Sequence, residues 1–429
     1  MNTQRSLLRL VDVRPNEVSA LAWSFFYFFL LLCSYYIIRP IRTEMIIISG
    51  IDQVHWLALG VFLSMLLIVP VFGWMTRNLS RKVFLNSVYL FFSFNLILFY
   101  LVFRAGEVTP LIARSFYIWV GVFNLFVVSV FWSFMSDIFV REQSRRLFAA
   151  IAAGGTSGAI VGPIITALLV ERLGVSNLFL IAASLLVLTL YCIHKLRVWR
   201  LQNPILQIDV GQQQKPQPKL KGGVLDGIKL VTGSKYLLGI CTLMLGYSLC
   251  ATLLSLMVAE QIETLFPDSV TRTRLFSVID TVVNVIALIF QLFLTSRLLQ
   301  WLRMSRTLAI LPGVFLLGFV LLVFAPVFFL FGGLEVLRRS FEYGVNKPAR
   351  EMLYVPLKRE EKYKAKNFID TTVHRGGDLL STWVMAGFKF LGLSSQMISL
   401  VAAIIAAGWV TMAIRVGLDY RQRVDIHTL

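Results

Sequence analysis

Five arginines stand inside long apolar runs or at their ends: Arg39 and Arg42, Arg338 and Arg339, and Arg375. A planar guanidinium presents its donors as a fork that grips carboxylate or phosphate in a bidentate way. Arginines in such settings point to recognition of an anion. An uncompensated charge at such depth is costly, so nearby carboxylates belong to the same question. Glu335, Arg338, Arg339 and Glu342 fall three or four apart on one predicted helix, a spacing that allows pairing along it. Two readings stand side by side. Either Arg338 or Arg339 faces a cavity and holds an anion, or the four charges neutralise one another. Glu44, Asp280 and Asp378 extend the second reading to the whole cationic set.

Other polar residues interrupt apolar sequence. Asp280, Asn284 and Gln291 fall near one face of a predicted helix and are expected to line water, with Asp280 a candidate for a proton or cation. His374, Arg375 and Asp378 open another helix, with Ser381 on a similar face. Asn124 lies inside a fourth-helix run. Ser248, Thr252 and Ser255 form a stripe of the kind that serves helix packing. No nucleophile–base pair, metal-ligand spacing or Gly-rich phosphate loop appears, so the reading carries no catalytic residue, metal or cofactor.

The elements that must position these side chains are membrane helices. The chain is 57% hydrophobic and 15% charged, with a mean hydropathy of +0.75. A soluble domain carries roughly 25% charged residues, so lipid is the solvent for most of this surface. Runs long enough to cross a bilayer are predicted at about 17–38, 54–75, 83–103, 115–138, 147–170, 178–195, 236–259, 275–295, 308–325, 327–346, 371–391 and 395–416. The fold class is therefore an all-α integral membrane protein of about twelve transmembrane helices. The first run follows a polar start and lacks a small-residue cleavage site, so it reads as a helix rather than a leader. The net charge of +18 suggests nucleic acid at first sight. The basic residues instead sit in short clusters between apolar runs, mostly on one side, which places both termini in the cytoplasm of a bacterial-type inner membrane. Cys33, Cys192, Cys241 and Cys250 lie in or beside spans and form no disulfide framework.

The longest connector, Lys195 to Lys235, is rich in Gln, Pro and Lys and divides six helices from six. The expected organisation is an N-terminal six-helix half at 1–195, a basic cytoplasmic linker at 196–235 and a C-terminal half at 236–429. Six plus six with a basic middle loop is the layout of major facilitator carriers, whose pseudo-symmetric halves rock about a central site. A monomer is the expectation. Gly154, Gly158 and Gly162 fall on one face of the fifth helix, which suits close helix packing. The surrounding AAGGTSGAIVGP also resembles part of a major facilitator antiporter motif. Gly73, Arg81 and Lys82 resemble that superfamily's loop motif, with Arg77 near the place of its usual Asp. Pro40 favours a kink or an end in the first helix. Arg39 and Arg42 then either snorkel to the outer interface or turn into the cavity.

The stretch NKPAREMLYVPLKREEKYKAKNFIDTTVHRGGD, Asn346 to Asp378, resembles the ATP:ADP nucleotide translocases of plastids and obligate intracellular bacteria. The matching positions are Pro348, Arg350, Glu351, Met352, Tyr354, Pro356, Leu357, Lys364, Lys366, Asp370 and Arg375. YYIIRPIRTEMIII from Tyr35, VVSVFWSFMSDIF from Val127 and RRLFAAIAAGGTSGAIVGP from Arg145 agree with the family's first, fourth and fifth helices. The resemblance implies a major-facilitator-like fold and exchange of an anionic solute such as ATP or ADP. It also implies that Lys364 or Lys366 stands for a loop lysine that handles substrate. The family's second-helix lysine falls near Leu57, its fourth-helix glutamate within Tyr117–Asn124 and its seventh-helix glutamate near Ser255, none charged here. The substrate-binding set is thus Arg39, Arg42, Asn124, Asp280, Asn284, Arg338, Arg339, Lys366 and Arg375. Two rival functions remain: a proton-coupled carrier of another metabolite or drug, using Asp280 or Asp378, and a non-transporting receptor or scaffold.

Overall fold

The computed structural model describes residues 13–203, 229–357, 361, 365–366 and 368–428. Among these, twelve longer helices follow in chain order, with shorter helical segments such as Thr295–Trp301 and Lys347–Met352 between them, and no strand is present. They are α1 (Val18–Ile48), α2 (Val54–Asn78), α3 (Arg81–Ala105) and α4 (Pro110–Ile138). The run Arg141–Gln202 breaks at Gly174, where φ is 76°, into α5 before it and α6 after it. That positive φ is open to glycine without a steric penalty, and it marks the kink between the two helices. Then come α7 (Lys235–Leu265), α8 (Ser269–Ile289), α9 (Met304–Phe324), α10 (Phe328–Phe341), α11 (His374–Phe390) and α12 (Ser395–Thr428).

Among the described residues, nine stretches are long and apolar enough to cross a membrane, counting Arg146–Gln202 as one. α10 and α11 fall outside that measure, since they are shorter and carry Glu335, Arg338, Arg339, Arg375 and Asp378. α6 runs on to Gln202, and the Gln- and Pro-rich middle of the connector, 204–228, lies outside the described residues. So do Lys364 and the side chains of Arg77 and Arg81.

The chain clusters into two units. Unit 1 takes the chain through Ser49, then Leu63 onward through α6, then Asp268–Thr281 of α8. Unit 2 takes Gly50–Phe62, α7 and the chain from Val282 onward.

Unit 1 is built on α1. The helix does not end at Pro40: it is continuous from Val18 to Ile48, which corrects the expected end of the first span near residue 38. Pro40 forgoes one hydrogen bond, but side-chain hydroxyls serve the backbone around it. Thr43 Oγ1 donates to the Arg39 carbonyl at 3.2 Å, and Thr166 Oγ1 on α5 donates to the Ile37 carbonyl at 3.0 Å. Such help from neighbours is how membrane helices tolerate proline. Along α5, a Cβ on Gly154 would stand 2.4 Å from the Phe25 carbonyl oxygen, one on Gly158 2.4 Å from that of Phe29, and one on Gly162 2.7 Å from that of Cys33. The glycine face is therefore a packing face against α1. Phe28 stacks on Phe131 of α4 with centroids 4.1 Å apart, and Trp119 on Phe123 at 5.3 Å. At the start of α1, the buried Glu17 accepts from Arg146 at 2.9 and 3.1 Å and from Gln143 at 2.9 Å. Burial raises its carboxyl, but these donors and the Arg14 N–H outweigh it and hold Glu17 below the usual carboxylate value.

Candidate functional site

In unit 1 the functional side chains gather on one stretch of α1. Arg39 is half-buried over the Tyr36 ring, 5.2 Å from its centroid, and its guanidinium lies 3.7 Å from Asp280 of α8. Arg42, three residues on, projects over the Tyr117 ring of α4 at 4.0 Å, and its Nε donates to the Tyr117 carbonyl at 3.3 Å. Aromatic face and carbonyl together fix the guanidinium plane. No carboxylate pairs with Arg42 among the described residues, and its two Nη groups meet no acceptor there. Asn124 is half-buried two turns further along α4.

Glu44 takes no part in neutralising Arg39 or Arg42. It is fully buried and accepts from Arg272 of α8, at 2.6 Å to Nη2 and 2.9 Å to Nε. Two further ion pairs anchor the same part of α8 inside unit 1: Arg39 with Asp280, and Arg274 with Glu171 of α5. Sequence reasoning missed Arg272. The signal was present, since a buried Glu44 demands a cation and Arg272 opens an apolar run.

In unit 2 the charges meet on α7, α10 and α11. Arg338 holds Glu335 in a fork, with Nε to Oε2 at 2.7 Å and Nη2 to Oε1 at 2.6 Å, and it also donates to Ser255 of α7. Glu335 and Arg338 are buried, and Ser255 is half-buried. Arg338 is thus self-neutralised, while Arg339 is buried beside it on α10. Glu342 does not turn back to Arg338 or Arg339 as spacing alone suggests. A π turn over Glu342–Asn346 resets the register after α10. Glu342 then accepts from Asn346 at 2.5 Å and from Arg350 at 3.2 Å. Arg350 and Asn346 are members of this cluster that spacing did not single out.

At the start of α11, Asp378 accepts from Ser248 of α7, with His374 Nδ1 3.5 Å and Arg375 Nη1 3.7 Å away. Arg375 is 41% exposed, the most open cation of this cluster. Lys366 pairs with the exposed Glu351 and lies 6.0 Å from the Tyr354 ring. Asn284 is buried on α8. Gln291 is exposed and donates to the Tyr343 carbonyl at 3.1 Å, so it leaves the polar stripe expected of it. Among the described residues, no group of His, Cys, Asp and Glu could hold a metal ion. In unit 1, Arg42 thus rests on an aromatic face and a backbone carbonyl, whereas Arg39 beside it also pairs with Asp280, and the unit 2 cations Arg338, Arg350, Lys366 and Arg375 rest on carboxylates. A paired guanidinium can take an anion only by exchanging partners. Arg42 needs no exchange.

Comparison with known proteins gives a consistent set of likenesses. A family model described as the TLC ATP/ADP transporter matches residues 112–420. The chain is 20% identical to ADP,ATP carrier protein 2 of Chlamydia trachomatis, over 96% of this chain and 90% of that protein. It is 25% identical to ADP,ATP carrier protein 2 of Chlamydia pneumoniae, where the match spans 49% of this chain and 43% of the relative. With ADP,ATP carrier protein 1 of Arabidopsis thaliana chloroplasts it shares 21% identity over 70% of this chain and 52% of the relative. Among solved structures, the nucleoside transporter NupG superposes with a TM-score of 0.63 at 16% identity, covering 92% of this chain and 99% of NupG. A bacterial homologue of the iron transporter ferroportin in an inward-facing state gives 0.61 at 16% identity, covering 92% and 98%. At such identities these structures speak for the fold alone.

Proposed function

Because the chain belongs to the TLC ATP/ADP transporter family, we propose that it exchanges an anionic solute of the nucleotide class across the membrane by alternating access. The observation that carries this reading is Arg42. Its guanidinium is oriented by the Tyr117 face and has no carboxylate partner among the described residues. It is therefore prepared for phosphate oxygens, to which arginine donates in a fork. Arg39 supports it from the next turn. In unit 2, Arg375, Arg339 and Lys366 are the cations we assign to the solute, with Asn124, Asn284 and Asp280 as neutral or counter-charged lining. Arg338, locked on Glu335, keeps the α7–α10 seam in place and reaches an anion only if that fork opens.

The six-helix halves 1–195 and 236–429 are the moving bodies of this proposal. The basic inter-helix segments favour a bacterial-type inner membrane with both termini in the cytoplasm.

The test is counter-exchange in proteoliposomes preloaded with ADP, with labelled ATP or ADP outside. Uptake is expected only with internal nucleotide, and Arg42→Ala is expected to lower it at least tenfold. Transport that proceeds from empty vesicles, or is indifferent to Arg42→Ala, contradicts this reading.

A second reading is favoured by the Ser248–Asp378–His374 cluster. A carboxylate beside a histidine at a helix start is a group on which a proton can travel with the solute. An imposed pH gradient that drives uptake into empty vesicles would select it. Absence of flux for any nucleotide or organic anion would instead favour a receptor or scaffold.

A further inference from the structure

Two helices are divided between the units. α2, of the N-terminal half, begins in unit 2 and enters unit 1 at Leu63. α8, of the C-terminal half, begins in unit 1 and enters unit 2 at Val282. Each half thus lends the start of one helix to the unit that holds most of the other half. The two starts are held by different chemistry.

The start of α8 is held by buried charge. Arg272 and Glu44 form a fork away from water, Asp280 beside Arg39 is buried as well, and Arg274 pairs with Glu171. Parting the fork leaves two buried charges without each other, which is costly.

The start of α2 rests on unit 2 at two levels. The Trp383 ring of α11 has its centroid 4.5 Å from that of His55 and 5.4 Å from that of Trp56. Further along α11, Lys389 Nζ stands 3.3 Å from Oδ1 of Asp52, in the turn before α2, and 3.1 Å from Oε1 of Glu260 on α7. An ammonium has three donors and serves both carboxylates at once. Asp52 is 78% exposed and Glu260 40%, and ion pairs so open to water hold weakly. Asp52 belongs to the N-terminal half, whereas Lys389 and Glu260 both belong to the C-terminal half. When α2 departs, Lys389 therefore keeps a partner.

We propose that Lys389 is a transferable latch. It holds the start of α2 through Asp52 and falls back on Glu260 when that start leaves unit 2, so the α2 start lets go during transport while the α8 start stays with unit 1. The inference rests on the alternating-access reading, since only a chain whose halves move needs a release point. Lys389 acts by positioning α2 and is no part of the solute-binding set. The two carboxylates then work in opposite directions. Without the Asp52 charge the held state loses its pair, and release grows. Without the Glu260 charge Lys389 has nothing to fall back on, and Asp52 no longer faces a second negative charge, so the held state gains.

The test places spin labels at the exposed positions Gln53 and Leu391 of the full chain in lipid nanodiscs, without nucleotide, and reads the fraction of separated pairs from dipolar EPR. The wild type is expected to show a close and a separated population. A second label pair, at the exposed Leu168 of α5 and Val278 of α8, is expected to show one. Asp52→Asn should raise the separated fraction about two- to fivefold, the range for an exposed ion pair, and Glu260→Gln should lower it. If both variants shift it in the same direction, if neither moves it, or if one population persists throughout, Lys389 is a fixed brace and the proposal fails. ADP exchange by the same proteins keeps the two questions apart. Exchange with unmoved spectra overturns the latch alone, whereas opposite shifts without exchange keep the latch and overturn the nucleotide reading.

Discussion

At Gly158 a backbone carbonyl of α1 occupies the place where a side chain would stand, and at Ser255 the facing space is taken by the Glu335–Arg338 fork. Both are contacts between membrane helices, one in each unit, and they use opposite chemistry. The α1–α5 contact is backbone against backbone and has no alternative partner to move to. The seam of α7, α10 and α11 is made of forks and single hydrogen bonds, each of which can be exchanged for another. Lipid gives helices no hydrophobic reason to associate, so close packing and polar bonds carry the work. The difference assigns rigidity to the first contact and rearrangement to the second.

The largest effect is expected where exchange is blocked by removing one partner. Glu335→Ala leaves Arg338 buried and unpaired and should cost about 3–5 kcal/mol, read as a fall in melting temperature. The double change Glu335→Leu with Arg338→Met should recover most of it. If the double variant is no better than the single one, the seam is not an ion-pair device. In unit 1, Gly158→Ala should cost about 1–3 kcal/mol by overpacking, whereas in unit 2 Gly376→Ala, whose Cβ meets nothing within 4 Å, should be nearly silent. Equal losses at Gly158 and Gly376 would erase the contrast.

Much of this contrast was legible in the residues. The four-residue spacing of Gly154, Gly158 and Gly162 shows a face without side chains, and close approach is its plain meaning. The twelve helices followed from run length, even for α10 and α11, whose charges remove them from a hydropathy count. What spacing did not show were partners chosen by backbone register and by distant segments. Glu342 goes to Arg350 rather than to Arg339 because a π turn intervenes, and nothing in the residue types announces that turn. Glu44 goes to Arg272, 228 positions away. Pro40 read as a kink or an end, because the hydroxyls of Thr43 and Thr166 that support the helix there belong partly to another helix.

Two smaller effects sharpen the comparison. Tyr117→Leu removes the face on which Arg42 rests and should weaken nucleotide binding by about 0.5–2 kcal/mol, with folding intact, as seen in a thermal-shift titration with ADP. Arg375→Ala should weaken it less than Arg42→Ala does, since Arg375 already shares Asp378. The smallest effect concerns pH. Glu17 titrates below the ordinary carboxylate value in the folded chain, so its contribution is complete above the unfolded value near 4.5. It declines as pH falls from there through the lowered folded value. Melts of wild type and Glu17→Gln should differ at neutral pH and converge on acidification. A difference that grows toward acid would reverse the sign.

The four cysteines, Cys33, Cys192, Cys241 and Cys250, are all free and all buried, none more than 8% exposed. A folded population should therefore stay dark to an impermeant maleimide, and the wild-type chain can serve as its own labelling background. A single cysteine placed at Arg375 or Asn124 would then report, by its rate of modification from either side of the membrane, which side each position faces and when.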